Sequence, residues 1–548
     1  MNPYLKPAWW DGVLFAFALA AFPASAQVPA PAPARAIEST PIDVMEIAVE
    51  GNSVLPVHVI EQTVMPFLGP NRKLDDLEAA RVALERAYQS AGYLTVFVDL
   101  PEQRVDEGVV RLQVLEGRIA RTSVTGSRYF SQGYIRDKVP SFAEGAVPNF
   151  NVAQQELALV NRTEQRRVQP VLKPGRDPGT VEVELKVADQ LPVSGTVELN
   201  NQHAPDTDPW RLQANVRYDN LFQRDHGVSA TVVVAPREPS QARALILNYS
   251  VPLDNGHTLI GYAVNSSSAV QTLGGTSVLG DGSTLGLRYA MPFEGGGGLH
   301  SLTLGVDFKD LNEKVVFGTD SFTTPLRYLP FQAAYSGNWD GKDSQTAFTA
   351  SVIAASGSLF KRKVVCPGTT EPVDQFSCKR FGADGSFASL RLSARHSMNL
   401  GWGSLALRVA GQLATQPLAS SEQFAIGGVE TVRGYLDGEA IGDHGVVGSV
   451  EARSPNWARA ASSLFGSAAP IELSELTLFA FTDVGRTQVS QPLPGQARRA
   501  PLLSTGAGLR VAARPGWSLG VEWALAHKTA IATTRGDSRL HVRLGWKY

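Results

Sequence analysis

The run Ser301-Leu302-Thr303-Leu304-Gly305-Val306-Asp307-Phe308 sets an apolar side chain at every second position and a small or polar one between. Side chains leave a β-strand alternately toward its two faces, so this segment reads as a strand with one greasy and one wet side. The pattern recurs. Leu212, Ala214, Val216 and Tyr218 alternate with Arg211, Gln213, Asn215, Arg217 and Asp219. Leu405, Leu407 and Val409 alternate with Ser404, Ala406, Arg408 and Ala410, and Leu540, Val542, Leu544, Trp546 and Tyr548 with Arg539, His541, Arg543 and Lys547. From about residue 191 helical periodicity nearly vanishes. About sixteen such runs follow, the first near 192 and the last near 538, an even number as bacterial membrane barrels require. Tight turns such as Asn399-Leu400-Gly401 and Pro515-Gly516 fall on one side, and most long connections fall on the other.

Lipid offers no hydrogen-bond partners, so a strand-rich membrane domain must close into a cylinder that pairs every backbone group. The expected fold is therefore a transmembrane antiparallel β-barrel over 191–548, apolar set toward lipid and polar set toward the lumen. A soluble β-sandwich would also alternate. Many consecutive strands without a second core-forming element, and a final run ending on aromatic Tyr548, favour the barrel. Composition agrees: 19% of the 548 residues are charged, below the ~25% usual for soluble domains. Residues 1–26 read as a signal peptide, with Lys6, an apolar Gly12–Phe22 core and Ala24-Ser25-Ala26 before Gln27. Pro/Ala-rich 27–41 reads as a lead-in whose prolines oppose a long helix. Export to an oxidising compartment points to one disulfide between Cys366 and Cys378, with two free thiols as the alternative.

Ahead of the barrel the texture mixes helix and strand. Glu46 to Glu50 reads as a strand, about 56–65 and 74–90 as helices, and Tyr93 to Leu100 and Val109 to Leu115 as strands. Leu77, Ala80, Leu84 and Tyr88 share one helix face, and Val110, Leu112 and Val114 one strand face. The same β-α-α-β-β order then recurs. Gly126 lies 75 residues after Gly51, and Leu185 lies 73 after Leu112. Near-constant offset indicates two tandem small units, 42–117 and 118–190.

The sixth outer connection, about 414–443, carries Gly427-Gly428 and then Val432-Arg433-Gly434-Tyr435. A later strand reads Phe481-Thr482-Asp483-Val484-Gly485. Leu476, Leu478 and Ala480 suit the lipid face, which turns Phe479, Phe481 and Asp483 inward, where a carboxylate is far less costly.

These features together resemble the two-partner secretion transporters of the outer-membrane protein assembly superfamily, whose members export haemolysins and filamentous haemagglutinin. The two small units resemble their polypeptide-transport-associated (POTRA) domains. The resemblance implies that loop 414–443 folds back into the lumen, with Arg433 pairing Asp483. A direct pair leads us to expect that Arg433→Asp with Asp483→Arg recovers some of the secretion lost in either single change. It implies export of a large partner protein recognised by the POTRA units. It implies contact with outer-membrane lipid and lipopolysaccharide, and insertion by the barrel assembly machinery. Unfolded cargo is expected to add a strand at a POTRA sheet edge, or to pack in the groove of Leu77, Leu84, Val110 and Leu112.

No Gly-x-x-x-x-Gly-Lys, His-Glu-x-x-His or Gly-x-Ser-x-Gly pattern occurs, so no catalytic residue, cofactor or metal is expected. Gly295 to Gly298 reads as a hairpin turn. The net charge of −2 gives no basis for nucleic-acid binding. An assembly insertase, a solute porin and a barrel enzyme are the competing readings.

Overall fold

A computed structural model describes residues 41–105, 107–267, 281–317, 320–366, 370–465 and 472–548. The signal peptide and nearly all of the lead-in lie outside these residues. The described chain forms two compact units, divided between Gly117 and Arg118.

In the first unit, strand Glu46–Glu50 runs parallel to Val109–Glu116, which pairs antiparallel with Val96–Asp99 on its other side. Helix Leu74–Ser90 starts where the Asp76 carboxylate accepts the Lys73 N–H at 2.9 Å, satisfying a donor that the first turn leaves orphaned. Its apolar stripe is buried. Leu77, Leu84, Val110 and Leu112 are 4%, 0%, 1% and 1% exposed. This corrects the expected groove: these four fill the core between helix and sheet and present no side chain to a cargo. An amphipathic helix buries its stripe on the sheet it covers, so a shared apolar face signals packing first.

The second unit opens with the same arrangement. Strand Arg118–Thr125 is parallel to Thr180–Asp189, which is antiparallel to Arg166–Pro174. Ile135, Phe142, Val160, Val183 and Leu185 form its core. The barrel follows, a closed antiparallel cylinder of sixteen strands among the described residues, counting Asp320–Tyr328 and Phe331–Asp340 as one interrupted strand along Gly298–Phe317. It closes where Arg543–Lys547 pairs with Thr196–Asn200. Leu285, Leu304, Val409, Val446, Val484 and Trp523 are exposed on the outer wall. Phe479, Phe481 and Asp483 are buried inside at 4%, 4% and 0%. Gly295 pairs with Gly298 across a two-residue turn. The long connection after Arg453 holds the short helix Ala458–Phe465.

The second small domain is fastened to the turn between strands Arg211–Leu221 and His226–Val234. Arg166, with no exposed side-chain surface, grips Asp225 through both guanidinium ends at 2.9 and 2.8 Å. It also lies 4.6 Å above the Phe130 ring. Gln223 accepts the Ser131 N–H at 2.8 Å. Phe222, Gln223 and Asp225 all have φ between 57° and 60°, a left-handed geometry that costs non-glycine residues roughly 1–2 kcal/mol each. These contacts hold the turn in that shape. Arg166→Ala strands a mostly buried carboxylate and should destabilise the domain's docking by about 3–5 kcal/mol. The check is protease cleavage near residue 191, which should accelerate while the barrel itself stays resistant.

Candidate functional site

Loop 414–443 leaves strand Ser404–Ala414 and returns as the neighbouring strand His444–Arg453, and it packs in the barrel interior against strands Leu473–Gln488, Arg499–Ala513 and Trp517–Ala526. Within it the short strands Phe424–Ile426 and Ala440–Gly442 pair antiparallel and set the base of a hairpin. Gly427 and Gly428 turn the chain with positive φ directly after the first of them. Ile426, Val432 and Tyr435 are fully buried and join Val447, Leu502 and Ala526 in one apolar cluster against the inner wall.

Arg433 sits at the tip. Its Nε and Nη2 donate to the two oxygens of Asp483 at 2.8 and 2.9 Å, and its backbone N–H donates to the same carboxylate at 3.1 Å. Nη1 reaches Glu451 at 2.8 Å and Glu522 at 3.1 Å. Ser449 accepts from Nη2 at 3.2 Å and donates to Asp483 at 2.6 Å. The guanidinium lies flat over Phe481, 3.3 Å from the ring centroid, so its face meets the π-cloud while its edge meets carboxylates. The charges balance within the cluster: Arg453 and Arg510 also contact Glu451, at 2.7 and 2.9 Å, so three arginines meet three carboxylates. A buried arginine with one carboxylate uses a single edge of its fork; here both edges are filled.

The neighbouring motif residues are placed by backbone need. Gly434 has φ +89°, and its N–H donates to His541 Nε2 at 3.2 Å. The Tyr435 hydroxyl receives the Lys528 N–H at 3.1 Å and lies 3.0 and 2.9 Å from the Leu503 and Lys528 carbonyl oxygens. Glu439 accepts the Leu436 N–H at 2.9 Å and the Ala532 and Thr533 N–H groups at 2.8 and 2.6 Å, tying the loop to the final outer connection. Gly485 gives the loop room, because a Cβ there would stand 2.8 Å from Ile426 and 3.0 Å from Val432.

The structure thus brings Val432, Arg433, Gly434, Tyr435, Phe481, Asp483 and Gly485 together. Cys366 and Cys378 are joined in a disulfide in the outer connection 355–387, their Cα atoms 5.6 Å apart. Glu451, Glu522, Ser449 and His541 were missed in the sequence. A signal existed: in their strands Val446, Val450, Trp523 and Leu540 face outward, so parity turns Ser449, Glu451, Glu522 and His541 inward. Among the described residues no cluster of His, Cys, Asp and Glu could hold a metal ion.

The ShlB-type POTRA domain family matches residues 42–117, and the haemolysin secretion/activation protein family ShlB/FhaC/HecB matches 179–290 and 370–511. The chain is 23% identical to the outer membrane transporter CdiB of Dickeya dadantii, over 71% of this chain and 68% of that protein. It is 22% identical to the heme/hemopexin transporter protein HuxB of Haemophilus influenzae, over 74% and 70%. Its fold is that of CdiB from Escherichia coli, with a TM-score of 0.61 at 17% identity over 95% of this chain and 93% of that one. A BamA structure from Haemophilus ducreyi shares the fold at a TM-score of 0.54 and 13% identity, over 93% of this chain and 100% of that one. With a POTRA front end, a closed barrel and a lumen loop pinned at its arginine, the chain belongs to the ShlB/FhaC/HecB family of two-partner secretion transporters, residing in the outer membrane with POTRA structure in the periplasm.

Proposed function

We propose that the chain passes one large, unfolded partner protein from the periplasm through the barrel, drawing on the cargo's own folding outside rather than on nucleotide hydrolysis or any enzymatic step. The observation that carries this reading is the Arg433 cluster. It fixes a loop, rather than a wall strand, in the lumen, and its carboxylates Glu451, Asp483 and Glu522 come from three different barrel strands. Outer-membrane lipid and lipopolysaccharide contact the apolar outer wall, and the barrel assembly machinery inserts the chain.

Cargo capture follows from an accounting of sheet edges. A strand can add only where backbone groups are unclaimed. At the Val96–Asp99 edge, Glu85 accepts the Val98 N–H at 3.3 Å and Arg81 donates to the Val98 carbonyl at 3.0 Å. At the Arg166–Pro174 edge, the Asn161 amide does both for Val168, at 2.6 and 2.9 Å, and Pro170 lacks a donor. At the Arg118–Thr125 edge, Ile119 bonds to Ala146 and Gly145, and Glu144 accepts the Thr122 N–H. Among the described residues, strand Glu46–Glu50 has no such cover. Its Glu46 N–H points to Gly108, so by the alternation of a parallel ladder the Ile47 and Val49 groups face away from the neighbouring strand. Cargo adds there.

Two outcomes test this. Val49→Pro removes one outward donor and leaves the ladder intact. It should lower secretion of the partner protein about tenfold, the effect of about 1.4 kcal/mol, while the domain keeps its circular dichroism and melting temperature. Unchanged secretion would remove this edge from the pathway. Arg433→Ala leaves three carboxylates with less cation and should cost the loop's position about 3–5 kcal/mol. Secretion measured at equal barrel abundance should fall sharply, with Arg433→Lys in between. The geometry also revises the charge swap: Arg433→Asp with Asp483→Arg places a carboxylate against Glu451 and Glu522, so secretion should not recover.

A further inference from the structure

The loop's two roots are held together at the outer mouth by a second buried ion pair. Asp443, the last residue of loop 414–443, is 0% exposed. Arg380 grips it with both ends of its guanidinium, at 2.5 and 2.7 Å. The same carboxylate accepts the Leu418 N–H at 2.8 Å, the Ser490 N–H at 2.7 Å and the Gln423 amide at 3.2 Å. The same guanidinium donates to the Leu418 and Ser490 carbonyl oxygens at 3.0 and 2.9 Å. Leu418 lies at one root of the loop and Asp443 at the other, and Ser490 belongs to the next outer connection. One arginine therefore ties three connections at a single knot. Burial pushes the Asp443 carboxyl up, but Arg380 and the two backbone N–H groups outweigh it and hold it below the usual carboxylate range.

Arg380 reaches this place from a separate connection, 355–387. It lies two residues after Cys378, whose disulfide to Cys366 braces the small hairpin Lys363–Val365 and Pro372–Asp374. Helix Gln375–Lys379 follows, started by the Asp374 carboxylate on the Phe376 N–H at 2.9 Å. Gln375, fully buried, accepts the Arg327 N–H at 2.8 Å and donates to the Arg327 carbonyl at 2.7 Å. Phe376 packs on Tyr328 and Phe387 at centroid distances of 5.4 and 6.3 Å. Leu326 and Leu418 complete the cluster. The arginine leaves a short element pinned to the barrel wall on one side and crosslinked on the other.

We propose that Arg380 is a second positioning residue for the lumen loop, and that the disulfide-closed outer connection delivering it makes this hold sensitive to a reductant outside the cell. Arg433 holds the tip and Arg380 the roots. Dithiothreitol would supply two electrons and two protons, leaving two cysteine thiols and its own cyclic disulfide. The inference rests on the loop occluding the lumen, so its test reads occlusion directly and needs no cargo.

The full chain is placed in planar lipid bilayers and the fraction of time the pore conducts is recorded. Folding is verified by its heat-modifiable electrophoretic mobility. Arg380→Ala should raise the open-to-closed ratio at least about tenfold, equivalent to about 1.4 kcal/mol. Arg380→Lys, which keeps the charge and loses the fork, should fall between. Dithiothreitol should raise the ratio of the unaltered chain and add little to Arg380→Ala. Folded Arg380→Ala that gates like the unaltered chain overturns the proposal. Should Arg380→Ala not fold, Arg380→Lys and reductant on the unaltered chain decide, and no change in either overturns it. Increased opening with unchanged secretion would uphold the knot and count instead against the loop's role in transport.

Discussion

Hydrogen-bond saturation of the backbone in lipid is the constraint on which the rest of this molecule depends. A strand crossing the bilayer cannot leave an N–H or C=O unpaired, so the sheet must close on itself. Closing sixteen strands leaves a hollow too wide for wall side chains alone to fill. That hollow can conduct unless something occupies it. Loop 414–443 occupies it, and its attachment becomes the molecule's central problem.

The attachment is solved with buried charge, which discriminates between positions better than apolar contact does. An apolar loop could slide along the inner wall with little loss. An arginine with one guanidinium edge and its backbone N–H on Asp483, the other edge on Glu451 and Glu522, and its face on Phe481 has one position of low energy. The cost of burying three carboxylates is offset by three arginines in the same cluster. Such a hold is strong when complete and weak when any member leaves. That suits the loop displacement proposed for transport.

Much of this was legible in the residues. Period-two alternation located the sixteen crossings, because lipid outside and water inside impose it on each, but not the extension Asp320–Tyr328 ahead of Phe331–Asp340. The 73- and 75-residue offsets pointed to a recurring arrangement, and the strand pairing of the first unit does recur in Arg118–Thr125, Thr180–Asp189 and Arg166–Pro174. The Arg433–Asp483 contact came through the motif resemblance and through strand parity. Three things were less visible. Glu451 and Glu522 sit on strands far apart in the chain, and only barrel closure brings them to one arginine. Arg380 carries no local mark of its role, since its partner lies 63 positions on and is joined through loop packing. Leu77, Leu84, Val110 and Leu112 misled because an apolar stripe has the same pattern whether it meets a cargo or its own sheet.

Strand Glu46–Glu50, uncovered among the described residues, carries a carboxylate at each end, both well exposed. If a second copy of the same domain paired its own strand antiparallel to it, Glu46 would stand opposite Glu50 at both ends, and like charges directly across a ladder repel. A neutral or basic segment meets no such barrier. The two carboxylates thus act by subtraction: they discourage homotypic pairing of this edge without barring the strand addition proposed above.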